Sequence, residues 1–338
     1  MTKTAMVSGG TGYIATYVIR QLLDEGWHVN TTIRSIAREA DAHRRFPEAG
    51  NKLKFFQADL MHDEGWAAAM ADCSHMVHIA SPIMAATPKH ENDLILPARD
   101  GVLRALQFSK DAGVQRFVHT SSMAAVSYGV ERGVHEFDES DWTDENHPDA
   151  SAYTKSKTIS ERAARDWIAK NGDVIEYCSV NPGMVLGPVV DADFSASVLA
   201  VQQLMDGSMP MAPDISFPLV DVRDVADLHV KAMMADNIAG DRFLAAGPTL
   251  SFLEMAKVLR DNLGDKAQKV PTRQMPDWLV TVFGLINSEV RGIKSELGKR
   301  RVVTGTYSQD KLAWTMRPVE QSLIDTANSL LSRGVVTV

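Results

Sequence analysis

Tyr153 and Lys157 are the two residues whose types and spacing point most directly to chemistry. They stand four positions apart in residues 151–167, a segment whose pattern predicts a helix, so both side chains would share one face. A free phenol has a pKa of about 10 and exchanges protons poorly at neutral pH, but a nearby cation favours the phenolate. The pair therefore predicts acid–base chemistry, although a Tyr-x-x-x-Lys spacing also occurs by chance.

Two predicted strand ends place further polar groups within reach of this pair. Residues 120–122, Thr-Ser-Ser, end the fifth predicted strand, and residues 181–183, Asn-Pro-Gly, end the sixth. The carboxyl ends of parallel strands meet at one edge of a sheet, where open α/β sheets form their ligand sites. A hydroxyl there could hydrogen-bond a substrate carbonyl while the phenol delivers a proton.

A glycine-rich turn near the start of the chain predicts a phosphate site. Residues 8–15 read Ser-Gly-Gly-Thr-Gly-Tyr-Ile-Ala and lie between a predicted strand and a predicted helix. Glycine is needed where such a turn is tight and where the backbone approaches a pyrophosphate, which the helix amides then bind. We therefore expect dinucleotide binding by Gly9, Gly12, Tyr13 and Ile14.

The end of the second predicted strand indicates which dinucleotide is bound. An NAD site would have an acidic residue there for the ribose 2′-hydroxyl, but residues 30–35 read Asn-Thr-Thr-Ile-Arg-Ser, and the next acid is Glu39. Arg34 carries a planar, permanent charge that suits a 2′-phosphate, and Arg38 could assist it. This pattern predicts NADP, while the alternative for Arg34 is an ordinary surface arginine.

Further cofactor contacts are expected at the other strand ends. Asp59 and Leu60 follow the third predicted strand and would meet the adenine, although Asp59 could instead cap the strand end. Backbone at Pro182 would meet the carboxamide end of the cofactor. The complete set of expected cofactor contacts is Gly9, Gly12, Tyr13, Ile14, Arg34, Asp59, Leu60, Ala80, Tyr153, Lys157, Pro182 and Val185.

The elements that must position these groups alternate between strand and helix through the first 245 residues. Strands are predicted at 4–8, 28–33, 53–57, 75–79, 116–120, 175–180 and 242–245. Such alternation is typical of α/β proteins with a parallel sheet. We predict a doubly wound, parallel-sheet Rossmann domain from residues 1–182 and 219–250. A smaller, mainly helical substrate lobe would comprise residues 183–218 and 251–338.

Composition narrows the function classes. The 338 residues carry 35 Lys and Arg against 43 Asp and Glu, a net charge of −8, which argues against a surface for nucleic acid or anionic lipid. No uncharged apolar window reaches the length of about 18 residues that a membrane helix requires, so a cytoplasmic protein is expected. Cys73 and Cys178 fit neither a disulfide framework nor a metal site and are expected to be buried thiols.

Together these motifs resemble the extended short-chain dehydrogenase/reductase family, which has a Rossmann domain and a Ser/Tyr/Lys set. The family pattern Thr-Gly-x-x-Gly-x-x-Gly appears at residues 8–15, with Ala15 in place of the third glycine. Within the family, the chain is similar to the dihydroflavonol reductase and microbial aldehyde/ketone reductase branch. The stretches that carry this similarity are residues 137–142, 153–158, 160–164 and 217–226.

The resemblance implies an NADPH-dependent reductase of aldehydes or ketones, working as a monomer or homodimer. Tyr153 would donate the proton, Lys157 would activate it and contact the ribose, and Ser122 would polarise the carbonyl, with Ser121 as a structural hydroxyl. A flavonoid substrate is disfavoured, because Ser127 stands where the plant flavonoid enzymes carry an asparagine. The Asn-Trp-Tyr-Cys stretch of cinnamoyl-CoA reductases is also absent around Tyr153.

Two other functions stay open. An NAD(P)-dependent epimerase or dehydratase for nucleotide sugars would clamp a diphosphate with basic groups, but residues 183–218 contain no Lys or Arg. They hold Met184, Met205, Met209 and Met211, which suit an uncharged, apolar carbonyl compound. Bases in residues 251–338 could still reach in. A non-catalytic, dinucleotide-sensing regulator would not need the Ser/Tyr/Lys set.

Other polar groups are assigned structural roles. His78, His119 and His229 lie among apolar residues and are expected in the core, and Asp224 is expected to accept hydrogen bonds near a helix start rather than to form an acid–base pair with Asp221. One basic cluster is interpreted as a solvated helix face. Its members are Arg291, Lys294, Lys299, Arg300 and Arg301.

Overall fold

The computed structural model describes residues 3–82, 90–172, 174–190, 195–286 and 293–337. The strands in these ranges are β1 (Thr4–Val7), β2 (His28–Ile33), β3 (Leu53–Gln57), β4 (His75–His78), β5 (Arg116–Thr120), β6 (Gly133–Phe137), β7 (Glu176–Pro182), β8 (Met184–Leu186), β9 (Ser216–Asp221), β10 (Arg242–Ala245), β11 (Thr249–Ser251) and β12 (Lys299–Val303). The helices are α1 (Tyr13–Asp24), α2 (Glu39–His43), α3 (Trp66–Met70), α4 (Asn92–Asp111), α5 (Ala152–Lys170), α6 (Ala196–Asp206), α7 (Val222–Met234), α8 (Phe252–Leu263), α9 (Asp277–Ile286), α10 (Tyr307–Leu312) and α11 (Val319–Ser332).

The central sheet has seven strands in the order β10-β7-β5-β4-β1-β2-β3, and every neighbouring pair is parallel. The chain runs outward from β1 to β3 and then returns to place β4 beside β1. The strand order therefore reverses between β1 and β4, which is where doubly wound sheets open a ligand crevice. The predicted Rossmann fold is confirmed, and the seven predicted strands differ from those observed by at most two residues at either end.

Helices cover both faces of this sheet because successive strand residues point to opposite sides. In β1, Ala5 and Val7 belong to the apolar core beneath α1 and α7, whereas Met6 belongs to the core beneath α3, α4 and α5. Within these layers α1 packs on α7 and α4 packs on α5. Both faces are buried, so the strands can be apolar on both sides.

A separate apolar core belongs to residues between 184 and 336 and includes α6, α8 and α11. It packs around a three-stranded sheet in the order β11-β9-β8. Helix α8 begins with a capping box, in which Ser251 and Glu254 each accept a hydrogen bond from the other's backbone amide. In the described ranges, no helix is long and apolar enough to cross a membrane.

The described residues contain strands that the sequence analysis did not predict, and two of them, β9 and β11, cross the predicted boundaries of the lobe at 218/219 and 250/251. Besides the sheet of β8, β9 and β11, β12 pairs in parallel with β6. The interpretation of the basic cluster as a solvated helix face is wrong for Lys299, Arg300 and Arg301, which lie in a strand, β12, and Lys299 and Arg301 are only 5% and 1% exposed. Each is paired, Lys299 Nζ with Asp149 Oδ2 at 2.9 Å and Arg301 Nη2 with Glu296 Oε2 at 2.7 Å. Arg291 lies outside the described residues.

Candidate active site

Helix α5 carries Tyr153 and Lys157 into the crevice at the carboxyl edge of the sheet. The helix begins after Ser151, whose Oγ accepts a hydrogen bond from the Thr154 amide at 3.1 Å. Tyr153 therefore lies in the first turn, where its side chain is 46% exposed, and Lys157 lies one turn deeper at 8% exposed. The helix predicted from the sequence is present, and the two residues share a face.

Ser122 and Tyr153 meet through their side-chain hydroxyls. Ser122 follows β5, and its Oγ accepts a hydrogen bond from the Ala124 amide at 3.1 Å. Burial around the phenol oxygen raises the pKa of Tyr153, and its hydrogen bond with Ser122 lowers that pKa in part. The net effect raises the pKa of Tyr153, whereas the sequence analysis expected Lys157 to lower it. The phenol of the cofactor-free chain is therefore protonated at neutral pH.

Lys157 is a nearly buried amine. Burial lowers its pKa to about 8, and the Glu161 carboxylate offsets part of that effect. At neutral pH the amine is therefore mostly the ammonium. Within the described residues, Nζ has no hydrogen-bond or ion-pair partner, so its donors are available to a ligand.

The turn at residues 8–12 is tight and leaves no space for side chains at two of its glycines. Gly9 has φ +73°, and a Cβ there would lie 3.2 Å from the Ala80 Cβ. A Cβ on Gly10 would lie 2.3 Å from Thr31 Oγ1, which leaves no room for a side chain. Gly12 precedes α1 without a side-chain cap, so the first helix amides can bind an anion.

Ser8 connects the glycine turn at residues 8–12 to the end of β4 through two hydrogen bonds. Its Oγ accepts hydrogen bonds from the amides of Ile79 and Ala80, both at 2.9 Å. The Gly9 amide donates to Thr32 Oγ1 at 2.9 Å, which also fixes the turn to the end of β2. Ala80 therefore lies beside the turn, where a cofactor contact is expected.

Arg34 follows β2 and is exposed, and in the described parts of the chain no acid pairs with it. Its guanidinium is free to meet a 2′-phosphate. Asp59 has a structural role, because its Oδ1 accepts from the Met61 amide at 2.8 Å and its carbonyl accepts from Trp66 Nε1 at 2.9 Å. Leu60 packs closely on α4, where a Cβ on Gly101 would lie 3.0 Å from it.

Pro182 and Gly183 carry the chain from the central sheet into the lobe. Pro182 pairs with Ala245 of β10, and a Cβ on Gly183 would lie 2.3 Å from the Pro218 carbonyl oxygen. The absence of a side chain at Gly183 therefore lets the chain after β7 lie close against Pro218 of β9. Val185 lies in β8 and is 7% exposed, so most of it is core.

Several groups singled out in the sequence lie in the core instead of lining a pocket. Met184 and Met205 belong to the lobe's apolar core, at 9% and 1% exposed, so Met205 gives no support to an apolar substrate site. Met209 packs partly against the same core. Ser127 is fully buried, and its Oγ donates to the Met123 carbonyl at 3.1 Å.

Asp221 and Asp224 hold the start of α7. Asp221 accepts from the Arg223 amide at 2.8 Å and pairs with the Arg223 guanidinium, and Asp224 accepts from the Arg317 amide at 2.7 Å. A cavity of about 600 Å³ lies in this region, between Tyr17 of α1 and the start of α7, and none of the proposed catalytic residues lines it.

Sequence reasoning missed one buried charged group beside the site. Glu161 lies one helical turn after Lys157, is 0% exposed, and pairs with Arg242 Nε at 2.8 Å. The stripe of polar residues at 153, 157 and 161 was the available signal, because four-residue spacing places all three on one face of the helix.

The glycine turn, the strand-end serine and the Tyr/Lys helix define a dinucleotide-dependent oxidoreductase of the extended short-chain type. Residues 5–246 match the NAD dependent epimerase/dehydratase family, and the chain belongs to that family. It is 30% identical over 278 residues to cinnamoyl-CoA reductase CAD2 of Medicago truncatula, covering 80% of this chain and 82% of that protein.

Two further proteins resemble the chain in sequence or structure. Vestitone reductase of Medicago sativa is 32% identical over 263 residues, which cover 75% of this chain and 79% of that protein. Its crystal structure superposes with a TM-score of 0.78 at 26% identity, covering 98% of this chain and 99% of that one. The yeast methylglyoxal/isovaleraldehyde reductase Gre2, solved with NADPH, shares the fold with a TM-score of 0.81, 24% identity and coverage of 98% and 100%. The predicted family is confirmed, and these relatives are reductases.

Proposed function

We propose that the protein is an NADPH-dependent carbonyl reductase that acts on uncharged, largely apolar aldehydes and ketones. The observation that carries the proposal is the pairing of the Ser122 and Tyr153 hydroxyls one helical turn from Lys157, whose ammonium is free to bind a ligand. The relatives' reductase activities support the same class of reaction.

Each group of the site has a role in this reduction. When bound, the cofactor NADPH would provide the hydride that the carbonyl carbon accepts. Ser122 donates a hydrogen bond to the carbonyl oxygen, and Tyr153 transfers its phenol proton to that oxygen as the C=O π bond breaks. Lys157 stabilises the resulting phenolate, which takes up a proton again before the next turnover. Oxidation of the alcohol follows the same path in reverse.

The cofactor contacts follow from the same crevice. Gly9, Gly12 and the first amides of α1, at Tyr13 and Ile14, would hold the diphosphate. Arg34 would bind the 2′-phosphate. The remaining contacts are proposed at Asp59, Leu60, Ala80, Tyr153, Lys157, Pro182 and Val185.

The pairing of lobe cations favours an uncharged substrate over a nucleotide sugar. Lys299 and Arg301 pair with carboxylates inside the protein, and Arg300 pairs with Glu254 at 3.0 Å. Residues 183–218 supply no other lysine or arginine. These three described cations are therefore already paired with carboxylates of the protein, whereas an aldehyde or ketone needs no cation.

The test is oxidation of NADPH, and separately of NADH, with a panel of apolar aldehydes, ketones and diketones. We expect turnover that prefers NADPH, and a fall of at least about 100-fold in kcat for Tyr153→Phe, since proton transfer by a side chain contributes about 10²–10⁴-fold. Tyr17→Phe is the matched control, because its hydroxyl donates to the Pro188 carbonyl outside the crevice. Nucleotide binding with no turnover across the panel would refute the reductase and favour the epimerase or the regulator.

We also propose that the protein is cytoplasmic and works as a monomer or homodimer. Support for a reducing compartment comes from Cys73 and Cys178, which are both free and buried. Burial raises the pKa of the Cys73 thiol to about 12, so it is unreactive at neutral pH. Light scattering after size-exclusion chromatography would determine the oligomeric state, and a trimer or tetramer would refute this part.

A further inference from the structure

The carboxylate of Glu161 collects hydrogen bonds from the two strands that end at the active site. Its Oε2 accepts from Ser121 Oγ at 2.6 Å and from Asn181 Nδ2 at 2.8 Å, and its Oε1 accepts from Ser179 Oγ at 3.0 Å. Ser121 follows β5, and the other two donors lie in β7. The mechanism above uses none of these bonds.

These bonds hold the segment that carries Ser122. Ser121 is its chain neighbour, and Asn181 Nδ2 also donates to the Ser122 carbonyl oxygen at 3.2 Å. Ser121 and Asn181, which both adjoin the catalytic serine, are therefore anchored to one carboxylate. Any displacement of the Glu161 side chain would move the Ser122 hydroxyl relative to Tyr153.

The same carboxylate acts on Lys157 through its charge. The groups that face Lys157 are Tyr153 and Glu161 on its own helix and, from β4 and β5, the neutral rings of His78 and His119. Beyond Glu161 lie the guanidiniums of its two ion-pair partners, Arg165 and Arg242. Within this set Glu161 is the group whose charge favours the ammonium, because the other charged groups are cations.

We propose that Glu161 is a positioning residue for the reduction, fixing the Ser122 segment and keeping Lys157 in its ammonium form. The effect on the reaction rests on the function proposed above. The effect on Lys157 can be measured without turnover, so the two can fail separately.

The first measurement is the titration of Lys157 by NMR in the full-length chain labelled with ¹³C-lysine, its resonance identified by its loss in Lys157→Arg. We expect the wild type to titrate at a pH of about 8 and Glu161→Gln to titrate at least about one pH unit lower, since an opposite charge nearby shifts a pKa by about one to three units. Glu161→Asp keeps the charge and should restore most of the wild-type value. An unchanged titration in Glu161→Gln would overturn the charge role.

The second measurement is kinetic, with a matched control. Glu161→Gln should lower kcat by about 10- to 100-fold and move the alkaline limb of the pH profile to lower pH, with Glu161→Asp restoring the limb. Glu176 is the control, because it pairs with Arg116 at the opposite end of β5 and β7. The distance from Arg116 Nε to Glu176 Oε2 is 3.0 Å. Glu176→Gln should lower stability and leave the pH profile and the Lys157 titration unchanged; the same shift in both variants would mean a general structural effect.

Ser121→Ala keeps the test valid if Glu161→Gln does not fold, because the serine variant removes one hydrogen bond and no charge. We expect it to lower kcat several-fold while the Lys157 titration stays in place. Unchanged kcat in Ser121→Ala would overturn the role in holding the Ser122 segment. If the wild type reduces no carbonyl compound, the proposed function fails, and the NMR titration still decides the charge role of Glu161.

Discussion

Acid should destabilise this protein through three histidines buried beneath the crevice. His78, His119 and His229 are at most 4% exposed, and His229 is held between Thr120 Oγ1 and the Val225 carbonyl, both at 2.7 Å. Burial lowers the pKa of His78 to about 3 and that of His229 to about 4, and it lowers the pKa of His119 well below its usual value. All three rings are neutral in the folded protein at pH 7.

The size of the effect follows from the difference between folded and unfolded pKa values. An unfolded histidine has a pKa of about 6.5, so below that pH the unfolded chain binds protons at these positions and the folded chain does not. The contribution of the neutral rings to the free energy of unfolding is therefore fully present above pH 6.5. It is lost as the pH falls toward the pKa values of the folded protein. At pH 5 the loss is about 2 kcal/mol for His78 and about 2 kcal/mol for His229, a large share of a total stability of about 5–15 kcal/mol.

Urea unfolding of the wild type and of His229→Gln at pH 7 and pH 5 measures this loss. The glutamine amide can still donate and accept a hydrogen bond, so the variant removes the titration with limited loss of packing. We expect the drop between the two pH values to be about 2 kcal/mol smaller in the variant. His62→Gln, at an exposed position, should leave the drop unchanged. An equal drop in wild type and His229→Gln would refute the assignment of this acid sensitivity to the buried ring.

Two further predictions concern the cofactor and the strand end. Arg34→Gln should raise the KM for NADPH by about 10-fold or more with little change for NADH, since a hydrogen bond to a charged group contributes about 1.5–3 kcal/mol. Arg38→Gln should have a smaller effect. Steady-state kinetics with both nucleotides measure these changes, and equal losses with both nucleotides would contradict a 2′-phosphate role. Gly183→Ala should lower the free energy of unfolding by about 1–3 kcal/mol, because the alanine Cβ would lie 2.3 Å from the Pro218 carbonyl oxygen. Urea titration measures this free energy. Wild-type stability in the variant would show that β7 and β9 can move apart without cost.

The central sheet and the arrangement of the site could be predicted because both depend on local pattern. Each of the seven strands is a short β-rich run, and parallel strands necessarily bring their carboxyl ends to one edge. Ser122 and Tyr153 could therefore be placed together from positions 31 residues apart in the sequence. The same reasoning could not give the pKa of Tyr153, since that depends on how deeply the packed chain surrounds the phenol oxygen.

Lys299 and Glu161 were both misjudged for one physical reason, because each is buried beside an opposite charge that lies far away in the chain. From the sequence alone Lys299 and Arg301 are expected to be in solvent, because burying a charge without a counter-charge costs much free energy. Their burial in β12 depends on pairing in space, for Lys299 with Asp149 at a separation of 150 residues. Glu161 escaped notice for the same reason, since Arg242 lies 81 residues away. Local hydrophobic periodicity contains no information about such pairs, so a polar residue repeated on the buried face of a predicted helix should be interpreted as half of an ion pair whose other half is still to be found.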